Sequence, residues 1–184
     1  MTNNLYLALI HSPVVNKNGK EIGSALTTID LHDIARAGMT FGVKGFYVVT
    51  PFEDQQTLAH RIIEHWTNGI GGEVNPDRKQ ALKLIRVAST FEDACADIKN
   101  EQENKLITIG TSAKENGNSA SIKELKKELD TENSHIMAFG TAWGLSEGFI
   151  EDCDMILEPI KGKGEFNHLS VRSAVSIYLD RICN

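Results

Sequence analysis

The chain has 184 residues, of which 41% are hydrophobic and 24% charged, and its formal net charge at pH 7 is -6. This length and composition are typical of a single globular domain, so residues 1–184 are predicted to fold as one unit with its own core. The negative charge excludes a polycation that coats nucleic acid indiscriminately. A nucleic-acid partner therefore requires a local basic patch.

The N-terminal stretch MTNNLYLALIHSPVV has no basic leader, and its apolar run is far shorter than the roughly 20 residues that span a bilayer. We therefore expect a cytoplasmic protein without a membrane segment. Cys95, Cys153 and Cys183 are odd in number, widely spaced and without a CxxC pattern. Neither a disulfide framework nor a metal site is expected from them.

Short apolar runs alternate with segments of helical periodicity along the whole chain, which is typical of an α/β protein with a mainly parallel sheet flanked by helices. Six strands are predicted, in chain order, at LYLALI, GFYVVT, IRVAS, KLITIG, HIMAFG and DMILE. Helices are predicted at LHDIARAGMTFG and at residues 52–66, 77–84, 91–99, 121–129, 145–152 and 170–182. The glycine-rich stretch TNGIGGEVNPDRK is predicted to be a linker that leads into the third helix.

Three loops follow the fourth, fifth and sixth strands, and ligands of open α/β sheets bind at such carboxyl ends. The loops contain GTSAKENGNSAS, FGTAWGLSEG and PIKGKGEFNHLS, whose small and polar residues let backbone groups approach a ligand. The signatures GxxxxGK[ST], GxGxxG and HExxH are absent. These absences argue against a P-loop NTPase and an ordinary dinucleotide-binding start, so any cofactor is held without a phosphate motif.

Three stretches of the chain carry a family resemblance. They are LHDIARAGMTFGVKGFYVV, FGTAWGL and LEPIKGKGEFNHLSVRSAVSIYLDRI. In this order they resemble the motifs of the SPOUT superfamily of S-adenosylmethionine-dependent RNA methyltransferases, above all a small bacterial branch that ends in an NHLSVRSA-like segment. The resemblance covers essentially the full chain. It implies a C-terminal deep trefoil knot that holds the cofactor, a homodimer and an RNA substrate such as tRNA or rRNA, whereas periodicity gives no indication of a knot.

The resemblance places S-adenosylmethionine in the three loops, and the cofactor has no phosphate, in agreement with the missing phosphate motifs. Its adenine suits a narrow apolar slot with a few backbone hydrogen bonds. The cofactor-binding candidates are Thr111, Ser112, Gly140, Thr141, Trp143, Gly144, Ile160, Gly162, Gly164, Asn167, Leu169 and Val171.

Methyl transfer from a sulfonium requires an aligned acceptor and a group that takes up the acceptor's proton, but no metal. Arg36 matches the arginine that the family's N-terminal motif uses in acceptor activation. Because a guanidinium does not readily lose its proton, we favour a role in clamping RNA phosphate or orienting the acceptor. Asp30, where many relatives carry asparagine, and His168 are further catalytic candidates. The competing roles are a capping carboxylate for Asp30, a surface ion pair with Asp33 for Arg36, and a helix-start residue for His168.

Two questions stay open at the level of the sequence. FGTAWGL has Trp143 where the ribose-methylating branch of the family often has glutamate, so both a ribose 2'-O and a base nitrogen remain possible methyl acceptors. The side chain of Trp143 itself either packs in the core or covers the cofactor. The RNA-binding candidates are Arg78, Lys79, Lys161, Lys163 and Arg172. The alternative function is a non-catalytic α/β dimer that binds S-adenosylmethionine or a nucleotide as a regulatory or RNA-binding module.

Overall fold

Six parallel strands form the central sheet of the computed structural model, which describes residues 4–115, 117–164 and 166–184. The strands of the chain are β1 Leu5–Ile10, β2 Val14–Val15, β3 Glu21–Ile22, β4 Gly45–Val49, β5 Ile85–Ala88, β6 Leu106–Thr111, β7 Ser134–Gly140 and β8 Met155–Leu157. The sheet order is β5-β4-β1-β7-β6-β8, so all six predicted strands are confirmed. The pair β2 and β3 is a separate antiparallel hairpin that the sequence did not predict.

Helices cover both faces of this sheet. They are α1 Thr28–Thr40, α2 Glu53–Thr67, α3 Ile70–Val74, α4 Pro76–Leu82, α5 Phe91–Glu101, α6 Ile122–Leu129, α7 Glu147–Glu151 and α8 Val171–Cys183. Helix starts follow from the local sequence, since Thr90 with Asp93 and Ser121 with Glu124 form capping boxes. The seven predicted helices are therefore confirmed within a few residues at their ends.

Helix α3 lies inside the stretch that was predicted to be a linker. Gly71 and Gly72 are buried where α3 meets the end of α2. A Cβ atom on Gly72 would lie 2.3 Å from the backbone oxygen of Trp66, so only glycine permits this close approach. The glycines serve packing between helices here, which the composition of the stretch did not reveal.

The core lies in two layers, one on each face of the sheet. All six residues of β1 are buried, as expected for a central parallel strand with both faces covered. Leu7, Leu9 and Phe46 face the layer that contains α1, α4, α6 and α8. Tyr6 and Tyr47 face the layer of α5 and α7. Each large side chain buried in this way contributes about 1.5–3 kcal/mol to the free energy of unfolding.

The carboxyl ends of β1, β6, β7 and β8 lie at the same edge of the sheet, because the four strands are parallel neighbours. The chain runs from β1 outward to β4 and β5, and then crosses to the other half of the sheet. A crevice at such a change of direction is a common ligand site.

The trefoil knot stays a prediction. In the described ranges no helix is long and apolar enough to cross a bilayer.

Candidate functional site

A cleft of about 770 Å³ opens at this edge of the sheet. Its size is typical of a site for a small molecule. Most of the candidate site residues from the sequence line it. They are Asp30, Thr111, Ser112, Gly140, Thr141, Trp143, Gly144, Ile160, Asn167, His168, Leu169, Val171 and Arg172. The three loops that carry the candidates therefore meet around one space, although Thr111 and Val171 lie 60 positions apart in the sequence.

The remaining candidates lie outside the lining of the cleft. They are Arg36, Arg78, Lys79, Lys161, Gly162, Lys163 and Gly164. Arg36 is exposed on α1. Lys161 forms an ion pair of 2.6 Å with Glu115, and the guanidinium of Arg78 stacks over the ring of Trp66 at 4.5 Å. The RNA-binding candidates are thus divided among the third loop, α4 and the first turn of α8, where Arg172 lies, and their contact with RNA stays a prediction.

A tight backbone turn follows β7 and forms one wall of the cleft. The N–H of Gly144 donates to the carbonyl of Thr141 at 2.9 Å. Ala142 has a φ of 52° and Gly144 a φ of 107°, both in the left-handed region. For Ala142 this conformation costs about 1 kcal/mol or more, a strain that is often found at ligand sites. A Cβ on Gly140 would lie 2.4 Å from the backbone nitrogen of Leu145, so the turn requires glycine there in order to close on itself.

The hairpin of β2 and β3 braces this turn. The N–H of Val15 donates to the carbonyl of Gly144, and the N–H of Trp143 donates to the carbonyl of Val15, both at 3.0 Å. Trp143 is 59% exposed and lines the cleft. Of its two predicted places, the structure therefore excludes the core.

The deep wall of the cleft is apolar and neutral. Phe139 and Tyr178 lie with their ring centroids 6.0 Å apart. The hydroxyl of Tyr178 donates to the carbonyl of Glu158 at 2.7 Å, and burial raises the pKa of Tyr178 to about 12. Thr111 donates its hydroxyl hydrogen to the carbonyl of Ala138 at 2.8 Å, so this side chain ties β6 to β7.

Asp30 joins α1 to the first turn of α8. The side chain is buried, and its Oδ1 accepts a hydrogen bond of 3.2 Å from Nη1 of Arg172. Its Oδ2 accepts one of 2.5 Å from the hydroxyl of Thr27. Nε of Arg172 also lies 3.5 Å from Oδ2 of Asp33. Asp33, the expected ion-pair partner of Arg36, thus faces Arg172 instead.

The third loop crosses the mouth of the cleft with little burial. Asn167, His168 and Leu169 are exposed, and Nδ2 of Asn167 donates to the carbonyl of Ala113 at 3.4 Å. This hydrogen bond connects the first and third loops. Among the residues that the structure describes, no group of three or more His, Cys, Asp or Glu side chains could hold a metal ion.

The sequence did not identify several residues that line the cleft. They are Val15, Ser24, Ala25, Thr27, Glu147, Glu151 and Tyr178. Val15, Ser24, Ala25 and Thr27 belong to the segment that follows β1. Ligands of open α/β sheets bind at loops that follow the carboxyl ends of strands, so this segment could have been included among the candidate loops. Tyr178 was assigned only to the apolar stripe of α8. Glu147 lies within the second of the three predicted loops but was not selected, and for Glu151, on the short helix α7, the sequence offered no comparable signal.

His11 lies directly behind the cleft wall at the end of β1. It is 1% exposed, and its Nδ1 lies 3.0 Å from the hydroxyl oxygen of Ser24. Burial lowers the pKa of His11 to about 4, and the negative charge of Asp30 opposes that shift only in part. The imidazole is therefore neutral at physiological pH.

Acid is expected to destabilise the fold as pH falls from 6.5 towards 4. In this window the unfolded chain binds a proton at His11 that the folded chain excludes, so the free energy of unfolding falls with pH. Full protonation corresponds to about 3 kcal/mol. We expect urea unfolding between pH 7 and pH 4 to show a smaller loss for His11→Asn than for the wild type. His60→Asn, an exposed position on α2, is the matched control. Equal losses in wild type and His11→Asn would contradict the prediction.

Comparison with known proteins gives the same family over nearly the whole chain. A family described as SAM-dependent RNA methyltransferase matches residues 4–184. A tRNA (guanine-N(1)-)-methyltransferase of Oleidesulfovibrio alaskensis is 44% identical over 181 residues, which are 97% of this chain and 42% of the relative. An uncharacterized protein of Aquifex aeolicus is 37% identical over 180 residues, which are 97% of this chain and 88% of the relative. The chain spans about two fifths of the length of the curated tRNA methyltransferase.

Solved structures show the same fold. TrmJ from Z. mobilis superposes with a TM-score of 0.62 at 17% identity, over 97% of this chain and 67% of that one. The TrmH/SpoU tRNA modifying enzyme of A. aeolicus gives a TM-score of 0.57 at 16% identity, over 98% and 74%. The six-stranded parallel sheet with its flanking helices is thus the SPOUT methylase fold.

Proposed function

The chain belongs to the family of S-adenosylmethionine-dependent RNA methyltransferases, and on that premise we propose that it transfers a methyl group from S-adenosylmethionine to RNA. The observation that carries the proposal is the meeting of three loops in one cleft at the carboxyl edge of the sheet. We extend the proposal to a single domain over residues 1–184, acting as a cytoplasmic homodimer with the cofactor held in a C-terminal knot.

The lining of the cleft fits S-adenosylmethionine by its chemistry. Phe139, Leu145 and Ile160 offer apolar surface for an adenine ring. Glu147 and Glu151 place carboxylates at the same cleft, which favour a cationic ligand and would repel a nucleoside triphosphate. When bound, the cofactor supplies a methyl group activated by the positive sulfur.

The protein's own part in the reaction is to orient the acceptor and receive its proton. His168 lies exposed at the mouth of the cleft, which supports it as the group that takes the proton. Asp30 already accepts hydrogen bonds at both carboxylate oxygens, so we assign it to holding α8 against α1. Arg36 lies outside the cleft lining of its own chain, and we propose that it clamps an RNA phosphate or orients the acceptor.

We propose tRNA as the first RNA class to test, because the Oleidesulfovibrio relative is named a tRNA methyltransferase. More than half of that relative lies outside the matched region, so its guanine N1 specificity is not transferred to this chain. Ribose 2'-O and base nitrogen are both retained as acceptors.

Calorimetric titration is expected to show binding of S-adenosylmethionine and S-adenosylhomocysteine to the purified chain. Labelled cofactor is then expected to mark RNA from a strain that lacks the protein, and to mark RNA from the parent strain less because its sites are already methylated. Mass mapping of the modified nucleosides identifies the acceptor atom. No binding at millimolar ligand would refute the cofactor, whereas binding without label in any RNA class would favour the non-catalytic module.

A further inference from the structure

A chain of hydrogen bonds runs from the end of β1 into the wall of the cleft. Nδ1 of His11 lies 3.0 Å from Oγ of Ser24, which lies 2.5 Å from Oγ1 of Thr141. Oγ1 of Thr141 lies 2.9 Å from the carbonyl oxygen of Ile10. Ser24 and Thr141 line the cleft, whereas His11 is 1% exposed behind them. The buried imidazole is thus linked to the cleft through two hydroxyl groups.

The number of hydrogens determines the direction of this chain. A carbonyl oxygen can only accept, so Thr141 donates its single hydroxyl hydrogen to Ile10. The Ser24 hydroxyl can reach two acceptors, the Thr141 oxygen at 2.5 Å and the carbonyl oxygen of His11 at 3.5 Å, and the much shorter contact identifies Thr141 as the acceptor. The oxygen of Ser24 then accepts from Nδ1–H of His11. This series of hydrogen bonds therefore predicts the tautomer of His11 that carries its proton on Nδ1.

The second ring nitrogen leads to the same tautomer. Nε2 of His11 is buried and has no hydrogen-bond partner among the described residues. With the proton on Nε2, a buried N–H would be left without an acceptor, at a cost of about 1–3 kcal/mol. Nδ1 would also take the hydrogen of Ser24, so Thr141 would have to donate its hydroxyl hydrogen to Ser24 and give up its hydroxyl hydrogen bond to Ile10. The Nδ1–H form keeps every link of the chain.

We infer that His11 is a positioning residue whose Nδ1–H orients the hydroxyls of Ser24 and Thr141 at the wall of the cofactor cleft. The backbone N–H of Thr141 also donates to the carbonyl of Ile10, at 3.1 Å. The network therefore ties the first residue of the turn after β7 to the end of β1. Because both ring nitrogens are enclosed, His11 does not receive the acceptor's proton. The effect on the cofactor rests on the proposed function.

His11→Asn and His11→Leu test this role. Asparagine retains an N–H donor near the position of Nδ1, whereas leucine keeps comparable volume and removes the donor. We expect His11→Leu to weaken S-adenosylhomocysteine binding roughly tenfold in calorimetry, with His11→Asn within about threefold of wild type. Ser24→Ala is expected to match His11→Leu, and the double variant to lose no more than either single change, because both break one chain. Wild-type affinity in His11→Leu would overturn the inference.

Kinetics and NMR separate this role from general loss of structure. His11→Leu is expected to raise the KM for the cofactor while the pH profile of kcat stays that of the wild type, and a changed pH profile would contradict the positioning role. Nitrogen NMR of the wild-type chain is expected to show a protonated Nδ1 and an unprotonated Nε2 at His11. The reverse pattern would overturn the inference, whether or not the protein binds S-adenosylhomocysteine. A failure to bind S-adenosylhomocysteine would refute the proposed function and would leave the NMR test of His11 in place.

Discussion

Replacing Gly140 with alanine is expected to lower the affinity for S-adenosylmethionine by roughly a hundredfold or more, which corresponds to about 3 kcal/mol. The new Cβ would lie 2.4 Å from the nitrogen of Leu145 and 2.6 Å from the carbonyl carbon of Gly144. Both are backbone atoms, so no side chain can turn aside to relieve the contact. The turn that forms one wall of the cleft must open.

Gly148→Ala is the matched control for this change. Its Cβ would meet no atom within 4 Å, and the residue lies in α7, where alanine is the better helix former. We expect its affinity in calorimetry to stay within about twofold of wild type. Gly144→Ala should fall between the two, because its φ of 107° strains alanine although the space is open. Circular dichroism checks that each variant is folded. Wild-type affinity in a folded Gly140→Ala would contradict the proposed role of the turn.

Replacing Arg36 with alanine is expected to slow RNA methylation by roughly a hundredfold while the affinity for the cofactor stays unchanged, since charge stabilisation of this kind is worth a few kcal/mol. Arg36 is exposed and lies outside the cleft lining. Its expected partner Asp33 faces Arg172, so the loss of the guanidinium should cost the fold little. Single-turnover methylation with saturating cofactor measures the rate, and calorimetry measures the affinity.

Arg61→Ala, an exposed arginine on α2, controls for a general loss of positive charge. Arg36→Lys separates charge from the planar fork of the guanidinium, and we expect it to recover only part of the rate. An equal loss of cofactor affinity and methylation in Arg36→Ala would place Arg36 in the cofactor site. An unchanged methylation rate in Arg36→Ala would show that Arg36 has no role in the reaction.

The sequence predicted the elements of the fold because each is recorded locally. A buried parallel strand such as β1 is a continuous apolar run, and an amphipathic helix such as α8 repeats its apolar residues at helical spacing. The hairpin β2–β3 has two residues in each strand, too few to show any period. Helix α3 has five residues and two glycines, so its composition resembles that of a loop.

In the candidate site, too, the features recorded locally in the sequence were predicted and the contacts between distant residues were not. The sequence by itself determined which loops follow the strand ends, and therefore that Thr141, Gly144 and Leu169 lie at one edge of the sheet. Only the tertiary structure decided that Arg172 contacts Asp30, across 142 positions of sequence, and that His11 reaches Thr141 through Ser24. The reason is physical. The period of apolar residues records which face of an element is buried, whereas the partner of a polar side chain depends on how distant elements pack.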